Sequence, residues 1–324
     1  MRRWTRGGLR TVPVAGLLAA GLAAGPAAPA AASPPGTWTR TGSMITATEQ
    51  QPGTLLHNGQ VLMSGTAELY NPATGKWAAT GSMVTARTVG YTATVLQNGQ
   101  VLVAGGEACV TGSCSVLASA ELYDPATGAW TPTGSMTVAR YGQTATLLPS
   151  GQVLAAGGPG SSAELYTPAT RTWAATGTMP FPHYEAVAGL LANGQVLVVC
   201  GVNDPGVNPC AADLYNPATG TWAQDGVAFL SAARNYSVVL LRDGQVLISG
   251  GENGTYPAKE TITDAARLWD PATGASTVTG SMTVPREFHA LIVLPDGQVL
   301  AAGGETQNNK GQPSATATAE LYTP

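Results

Sequence analysis

A polar or charged residue recurs four positions after a methionine in five segments of this chain, and a sixth segment offers an arginine at the matching place. The six residues are Thr48, Arg87, Arg140, His183, Arg234 and Arg286. Converging arginines would form a positive patch on an acidic chain, and a guanidinium fork matches carboxylates and similar planar anions. The alternative is structural, with each arginine bonded to carbonyls or carboxylates of a neighbouring repeat. Acidic residues recur often enough to be such partners, at Glu68, Glu121, Glu164, Asp213 and Glu320.

Aromatic residues stand close to these six positions. Four tyrosines lie within a few residues of them, namely Tyr91, Tyr141, Tyr184 and Tyr236. Aromatic faces beside hydrogen-bonding groups suit a carbohydrate or a peptide. The alternative is that some of these rings pack between structural units.

Two short elements alternate along the chain and predict its architecture. Gly-Gln-Val-Leu occurs six times, and an element that begins as Glu68-Leu69-Tyr70 returns after each copy. Successive Gly-Gln pairs are 40, 52, 43, 50 and 53 residues apart. Periods of this size indicate stacked units, none of which can bury its apolar face alone.

The segment from Arg87 to Met136 shows how one unit folds. A β-rich run from Thr92 to Gln97 meets Asn98-Gly99, a strong hairpin signal, and a second strand then ends at Gly105-Gly106. After a variable loop, a third and a fourth strand flank the turn Asp124 to Gly128. Four antiparallel strands per repeat predict one blade of a β-propeller.

These motifs resemble the Kelch repeat. The resemblance rests on Gly-Gly after the second strand, a Tyr-Asp-Pro turn and a tryptophan in the fourth strand, and it covers residues 36 to 324. The tryptophan recurs at Trp38, Trp77, Trp130, Trp173 and Trp222. The fifth repeat departs most, with Trp269 at the tyrosine position, Ser276 at the tryptophan position and Arg267 at the glutamate position.

The two ends of the repeat region complement each other. The segment from Gly36 to Met44 matches a fourth strand, and Glu320 to Pro324 ends after a third strand. The N-terminal strand is therefore expected to complete the last blade, which closes the ring and removes exposed edges. The sequence predicts an all-β, six-bladed propeller over residues 37–324, preceded by a leader over 1–32 and a short linker over 33–36.

The leader resembles a secretory signal peptide. Four arginines precede a short apolar run, and Ala30-Ala31-Ala32 suits cleavage before Ser33. The run is too short and too interrupted by proline for a membrane span. Removing residues 1–32 lowers the net charge from −4 to −8, because they hold four arginines and no acidic group. We expect a secreted monomer that neither enters membranes nor binds nucleic acid.

The four cysteines form two close pairs. Cys109 and Cys114 lie in one inserted loop, and Cys200 and Cys210 bracket another. In an exported protein, such pairs indicate local disulfides that stiffen their loops. A metal or thiolate site is the alternative, but no histidines lie near, so neither a metal nor another cofactor is expected.

Strand alternation places the uniform turns on one face and the variable loops, with the six recurrent residues, on the other. Because loops on a rigid scaffold carry binding, we predict a binding module for a glycan or for an exported or cell-surface protein.

The resemblance to the Kelch repeat also implies two enzyme classes as alternatives to a binding module. Exported six-bladed Kelch proteins include sialic acid mutarotases, for which the arginines would clamp the carboxylate and Glu185, Glu287, His183 or His289 would serve as acid–base groups. Galactose oxidase-like copper enzymes need two histidines, a tyrosine and a cysteine-modified tyrosine. The sequence argues against that set, since His57 falls on the opposite face and no free cysteine is evident.

Overall fold

The computed structural model shows strands joined by turns and loops. It describes residues 36–110, 112–184, 186–191, 193–199, 212–224, 235–253, 261–270, 273, 275–307 and 311–324. The described residues contain no helix, and therefore no helix that could cross a membrane. Cys200, Cys210, Glu185, Arg234 and residues 1–35 lie outside the described part, as do the predictions made for them.

The first three blades each contain four antiparallel strands in sequential order. Blade 1 consists of β2 (Gly53–Leu55), β3 (Val61–Met63), β4 (Glu68–Asn71) and β5 (Lys76–Ala79). Blade 2 consists of β6 (Val89–Val95), β7 (Val101–Val110), β9 (Ala120–Asp124) and β10 (Ala129–Thr133), with β8 (Ser113–Val116) added beside β7. Blade 3 consists of β11 (Gln143–Leu147), β12 (Val153–Gly157), β13 (Ala163–Thr167) and β14 (Thr172–Ala175).

The other three blades follow the same pattern. Blade 4 consists of β15 (Val187–Leu190), β16 (Val196–Val199), β17 (Ala212–Asn216) and β18 (Thr221–Gln224). Blade 5 consists of β19 (Ser237–Leu240), β20 (Val246–Ser249), β23 (Ala266–Trp269) and β24 (Ser276–Val278). Blade 6 consists of β25 (Ala290–Val293), β26 (Val299–Ala302), β29 (Ala319–Thr323) and β1 (Thr37–Arg40). Two small hairpins, β21–β22 (Glu252–Asn253, Thr261–Ile262) and β27–β28 (Glu305–Gln307, Pro313–Ala315), extend the loops of blades 5 and 6.

The ring closes as the sequence predicts. Strand β1 pairs antiparallel with β29, so that Trp38 lies opposite Tyr322. The first strand of each blade is innermost, and these strands contact one another in the pairs β2–β6, β6–β11, β11–β15, β19–β25 and β25–β2. The predicted six-bladed propeller of four-stranded blades is confirmed.

A tyrosine–tryptophan pair joins each regular blade to the blade before it. In blade 1 the rings of Tyr70 and Trp77 lie 5.0 Å apart, and Trp77 Nε1 donates to the carbonyl of Gly42 at 2.7 Å. The Tyr70 hydroxyl bonds to Thr41 Oγ1 at 2.7 Å. The same ring pair occurs in blades 2, 3, 4 and 6. In blade 5, Trp269 lies opposite Ser276, so that blade lacks the pair, as its departing motif predicts.

Blade 2 differs from its prediction in one respect. Its second strand was expected to end at Gly105-Gly106, but β7 continues to Val110 and forms a hairpin with β8. The ladder continues because Glu107 pairs with Val116 and because the predicted disulfide joins Cys109 to Cys114 across the hairpin. That disulfide prediction is confirmed.

Candidate functional site

Arg140 shows the environment of the recurrent arginines. Its guanidinium contacts Glu164 Oε1 at 3.1 Å through Nη2, and its Nη1 donates to the carbonyls of Gly157 and Ser162 at 3.0 and 2.7 Å. All these partners belong to blade 3. We call this arrangement, an arginine held by a third-strand glutamate and two carbonyls, the arginine clasp.

The clasp recurs in blades 2 and 6. Arg87 pairs with Glu121 at 3.2 Å and Arg286 pairs with Glu320 at 2.7 Å, and these arginine side chains are fully buried. In blade 4, His183 Nε2 pairs with Asp213 Oδ2 at 2.9 Å. Blade 1 carries Thr48, which takes part in a β-bridge with Thr316.

These contacts correct one expectation, because the side chains of Arg87, Arg140 and Arg286 bond within their own blades and not to a neighbouring blade. The clasp carboxylate also receives two backbone N–H groups from the segment that follows the methionine. Glu164, for example, accepts from Thr137 N at 2.8 Å and Val138 N at 3.2 Å. Although burial alone would raise the pKa of Glu164, its hydrogen bonds from Thr137 and Arg140 lower it. The clasps therefore fix the segments that lead into the inner strands, and a direct contact of these arginines with a ligand stays a prediction.

The Gly-Gly motif brings the backbone of the recurrent residues against the preceding blade. Gly158 N donates to the carbonyl of His183 in the next blade at 2.9 Å, and Gly251 N donates to that of Arg286 at 2.9 Å. A Cβ on the preceding glycine would approach the same carbonyls, to 2.4 Å at Gly157 and 2.1 Å at Gly250. Glycine is required there because the backbones of two blades meet. The contacts also place the variable loops and the recurrent residues on one face.

Residues in the left-handed conformation stand at or just before the inner strands of blades 1, 2, 3, 5 and 6, and we call them the collar. Its members have positive φ and are Gln50 (56°), Gly90 (69°), Gly142 (63°), Asn235 (59°) and Phe288 (54°). Backbone N–H groups link them from blade to blade: Gln50 donates to Phe288 at 3.0 Å, Phe288 to Asn235 at 3.1 Å, and Gly142 to Gly90 at 2.8 Å.

The collar divides into two parts by residue type. Blades 2 and 3 use glycine, which adopts positive φ freely. Blades 5, 6 and 1 use Asn235, Phe288 and Gln50, although a side chain in this conformation costs roughly 1–2 kcal/mol. Strain of this kind concentrates at functional sites, so these three blades form the stronger candidate.

Carboxylates gather beside Asn235. Its Nδ2 donates to Glu287 Oε2 at 2.8 Å and to Glu252 Oε2 at 3.2 Å, so a single amide holds two carboxylates. The backbone of Glu287 also forms an antiparallel bridge with that of Glu305, and both glutamates are buried. We call Asn235, Glu252, Glu287 and Glu305 the acidic sector.

His289 adjoins the acidic sector. Its Nε2 bonds to Ser249 Oγ at 2.9 Å, its ring lies against Gly250, and its Cβ and backbone lie against Gly304; these glycines lead into the strands of Glu252 and Glu305. Burial, with a smaller effect from Arg286, lowers the pKa of His289 well below 6.5. The imidazole is therefore neutral at physiological pH.

The predicted tyrosines separate into two kinds. Tyr141 and Tyr184 meet edge to face with ring centroids 5.1 Å apart and are half-buried at blades 3 and 4. We call them the tyrosine pair. Tyr91 instead is buried, and its hydroxyl bonds to Gln51 and Ser64 of blade 1. Burial raises the pKa of both Tyr91 and Tyr236, so these phenols stay protonated.

The histidines do not assemble the donor set of a copper oxidase. His57 lies in a turn on the opposite face, His183 is paired with Asp213, and His289 bonds to Ser249. One group among the described residues has metal-ligating atoms close together, namely Glu107, Cys109 and Cys114. Its two sulfurs form the disulfide and so offer no thiolates.

Sequence reasoning identified Glu287 and His289 but missed Asn235, Glu252 and Glu305 as site residues. Asn235 had a signal, since asparagine is the non-glycine residue that most readily adopts a left-handed conformation. Glu252 and Glu305 lie in loops of different length, and only the folded ring brings them beside the inner strand.

No protein-family model matches the chain, and no curated protein matches it. Solved structures do match. One titled "Structure of YjhT" is 15% identical at a TM-score of 0.68, and the match covers 86% of this chain and 95% of that one. A fungal alcohol oxidase of the AA5 family, in complex with copper, is 17% identical at a TM-score of 0.59, with 89% and 76% covered. At these identities the likeness shows the fold, and with the six blades it confirms the expected β-propeller.

Proposed function

We propose that the protein is an exported binding module that holds a glycan at the channel mouth. The observation that carries this proposal is the Asn235 amide, which fixes Glu252 and Glu287 beside the collar. Carboxylate and amide groups bond sugar hydroxyls, and half-buried aromatic rings such as the tyrosine pair offer a face for a pyranose ring. Protein-bound glycans on a cell surface are included in this ligand class.

A glycan-binding array followed by calorimetry tests the proposal. The variant Asn235→Gly removes the amide but keeps a residue that tolerates positive φ, so the fold should survive. We expect binding to weaken about tenfold or more, because carboxylates that lose a hydrogen-bonded anchor no longer hold their position. Asn98→Ala removes the same amide from a turn on the opposite face and should leave binding unchanged. Equal loss in both variants would contradict this site.

The proposal includes export, which a separate measurement tests. Expression in a bacterial host with the leader present should release a mature chain that begins at Ser33. Recovery of an uncleaved chain inside the cell would overturn this part.

A sugar-converting enzyme is the second candidate, and the same pair of carboxylates favours it. Two carboxyl groups near one bound sugar can divide acid and base roles. A sialic acid mutarotase would also need an anion clamp, but Arg87, Arg140 and Arg286 are engaged in clasps, and Arg234 lies outside the described residues. Incubating the array hits with protein and following anomeric signals by NMR separates an enzyme from a binding module.

A further inference from the structure

The hairpin of β7 and β8 extends from blade 2, and its backbone is held by more than the disulfide. A continuous antiparallel ladder joins the two strands. At the base of the hairpin, Leu117 N donates to the carbonyl of Gly106 at 2.8 Å. Thr88 fixes one side, because its N donates to the carbonyl of Glu107 at 2.6 Å and its Oγ1 accepts from Cys109 N at 3.1 Å. The two strands should therefore stay paired when the S–S bond is broken.

Three metal-ligating side chains share one face of this hairpin. Side chains alternate along a strand, so Glu107 and Cys109 project from the same face of β7, and Cys114 lies directly opposite Cys109. A carboxylate oxygen and the two Sγ atoms all lie within 4.8 Å of one another. Among the described residues, no hydrogen bond or ion pair engages the Glu107 carboxylate, unlike the carboxylates of the clasps. Cys114 is exposed, so a reagent in solution can reach the disulfide.

Reduction of this disulfide would create two metal ligands. A dithiol reductant supplies two electrons and two protons: the bond between Cys109 and Cys114 breaks, both become thiols, and the reductant leaves as a disulfide. A metal ion that binds the thiolates releases those two protons. Two thiolates and a carboxylate are ligands that suit Zn²⁺. At a Zn–S distance of about 2.3 Å, a tetrahedral site needs the sulfurs roughly 3.7 Å apart, a separation that paired strands allow once the bond is broken.

We propose that Glu107, Cys109 and Cys114 form a metal site in the reduced protein, and that the disulfide closes this site. The ion is thiophilic, such as Zn²⁺, and water takes the fourth position, since the group that the described residues bring together has three members. Oxidation of the two cysteines releases the ion, because the sulfurs of a disulfide carry no negative charge. The hairpin belongs to blade 2, so this proposal is independent of the glycan function.

Cobalt substitution tests the proposal. The mature chain is reduced with a dithiol, freed of the reductant by gel filtration without oxygen, and titrated with Co²⁺. We expect a thiolate-to-cobalt charge-transfer band that saturates at a single ion per chain. Addition of Zn²⁺ should remove the band, because thiolate ligands favour Zn²⁺. The chain that keeps its disulfide should show no band.

Paired cysteine variants locate the site. Replacing Cys109 and Cys114 together by serine should abolish the band. Replacing Cys200 and Cys210 together by serine is the matched control and should leave it intact. A band that only the second variant loses would overturn the proposal.

The carboxylate is tested by Glu107→Gln. The amide is a poorer ligand than the carboxylate, so the affinity for Co²⁺ should fall about tenfold or more. Asp296→Asn removes the same charge from a turn on the opposite face and should leave the affinity unchanged. Equal affinities in the two variants would remove Glu107 from the ligand set and overturn the site as proposed.

Alkylation provides a second measurement. In the reduced chain, Zn²⁺ should slow the reaction of Cys109 and Cys114 with iodoacetamide severalfold, as peptide mass spectrometry would show. Circular dichroism of the same samples reports the fold. Loss of the fold on reduction, or a folded reduced chain with neither the cobalt band nor protection by Zn²⁺, would overturn the proposal, because the site requires both paired strands and free thiolates.

Discussion

The glycine part of the collar and its side-chain part share one backbone conformation and differ in what they carry. At blades 2 and 3, Gly90 and Gly142 take positive φ without strain, and no side chain emerges. At blades 5, 6 and 1, Asn235, Phe288 and Gln50 take the same φ against a steric cost. The junction between blades 2 and 3 forms with glycine at both positions, so a side chain is not required there. The difference indicates that the second part gives up stability for the groups it positions.

The largest effect should come from removing a clasp in the glycine part. Arg140→Ala leaves the buried Glu164 without its cation, and we expect a loss of about 3–5 kcal/mol in the free energy of unfolding. Thr48→Ala, at the equivalent place in the side-chain part, should cost less than about 1 kcal/mol. Urea denaturation of both variants measures the contrast.

A small decrease in the free energy of unfolding of Arg140→Ala would contradict a stabilising role for the arginine clasp. It would mean that backbone N–H groups alone satisfy the clasp glutamate, as they do at Glu68 of blade 1, which accepts from Ile45 and Thr46.

Adding a side chain to the glycine part should have the next largest effect. In Gly90→Ala the new Cβ would lie 2.9 Å from Gly142 N, at a φ of 69°. We expect destabilisation by about 2–3 kcal/mol from steric overlap and backbone strain together. Gly112→Ala is the matched control, since Gly112 has a φ of 84° and open space around it, and it should show the strain alone at about 1 kcal/mol. Equal losses in thermal or urea unfolding would show that the blade junction tolerates a side chain.

The smallest effect should be a change in pH dependence. His289 and Gln143 each stand three residues after a clasp arginine. The substitution His289→Gln therefore introduces, in blade 6, the residue type that blade 3 has at the equivalent position. Because burial lowers the pKa of His289 in the folded protein, the unfolded chain takes up a proton that the folded protein does not. Stability is therefore full above about pH 6.5 and falls as the pH decreases, by up to about 1.4 kcal/mol per pH unit.

Urea unfolding at pH 7 and pH 5 measures this difference. The decrease should be smaller by about 1–2 kcal/mol in His289→Gln than in the unchanged protein. Parallel pH profiles would show that His289 does not contribute to acid sensitivity.

The six blades could be predicted from the sequence, because the same strand and turn motifs recur in each repeat. Trp38 and Tyr322 fit the fourth and third strands of one blade, and the structure pairs them. The sequence predicted that the recurrent arginines precede the inner strands, as Arg140 precedes β11, but it did not predict the direction of their side chains. The choice between a neighbouring blade and the same blade depends on where Glu121 or Glu164 falls across the sheet.

The candidate site was less predictable because its parts come from unrelated loops. The left-handed φ of Gln50 and Phe288 leaves no mark in the sequence, since either residue usually adopts other conformations. Glu252 and Glu305 follow Gly-Gly pairs of different blades, and the packing of blade 6 against blade 5 sets Glu287 beside Asn235.

Blade 6 contains half of the acidic sector, namely Glu287 and Glu305, and it is also the blade that β1 completes. Pairing Trp38 with Tyr322 joins residues separated by nearly the whole chain, which makes this contact entropically the most expensive of the ring. A partly folded chain can thus hold several finished blades while blade 6 is still open. Because the acidic sector is divided between blades 5 and 6, ligand capture there would require these two blades to have packed together, so binding activity would also report that step of folding.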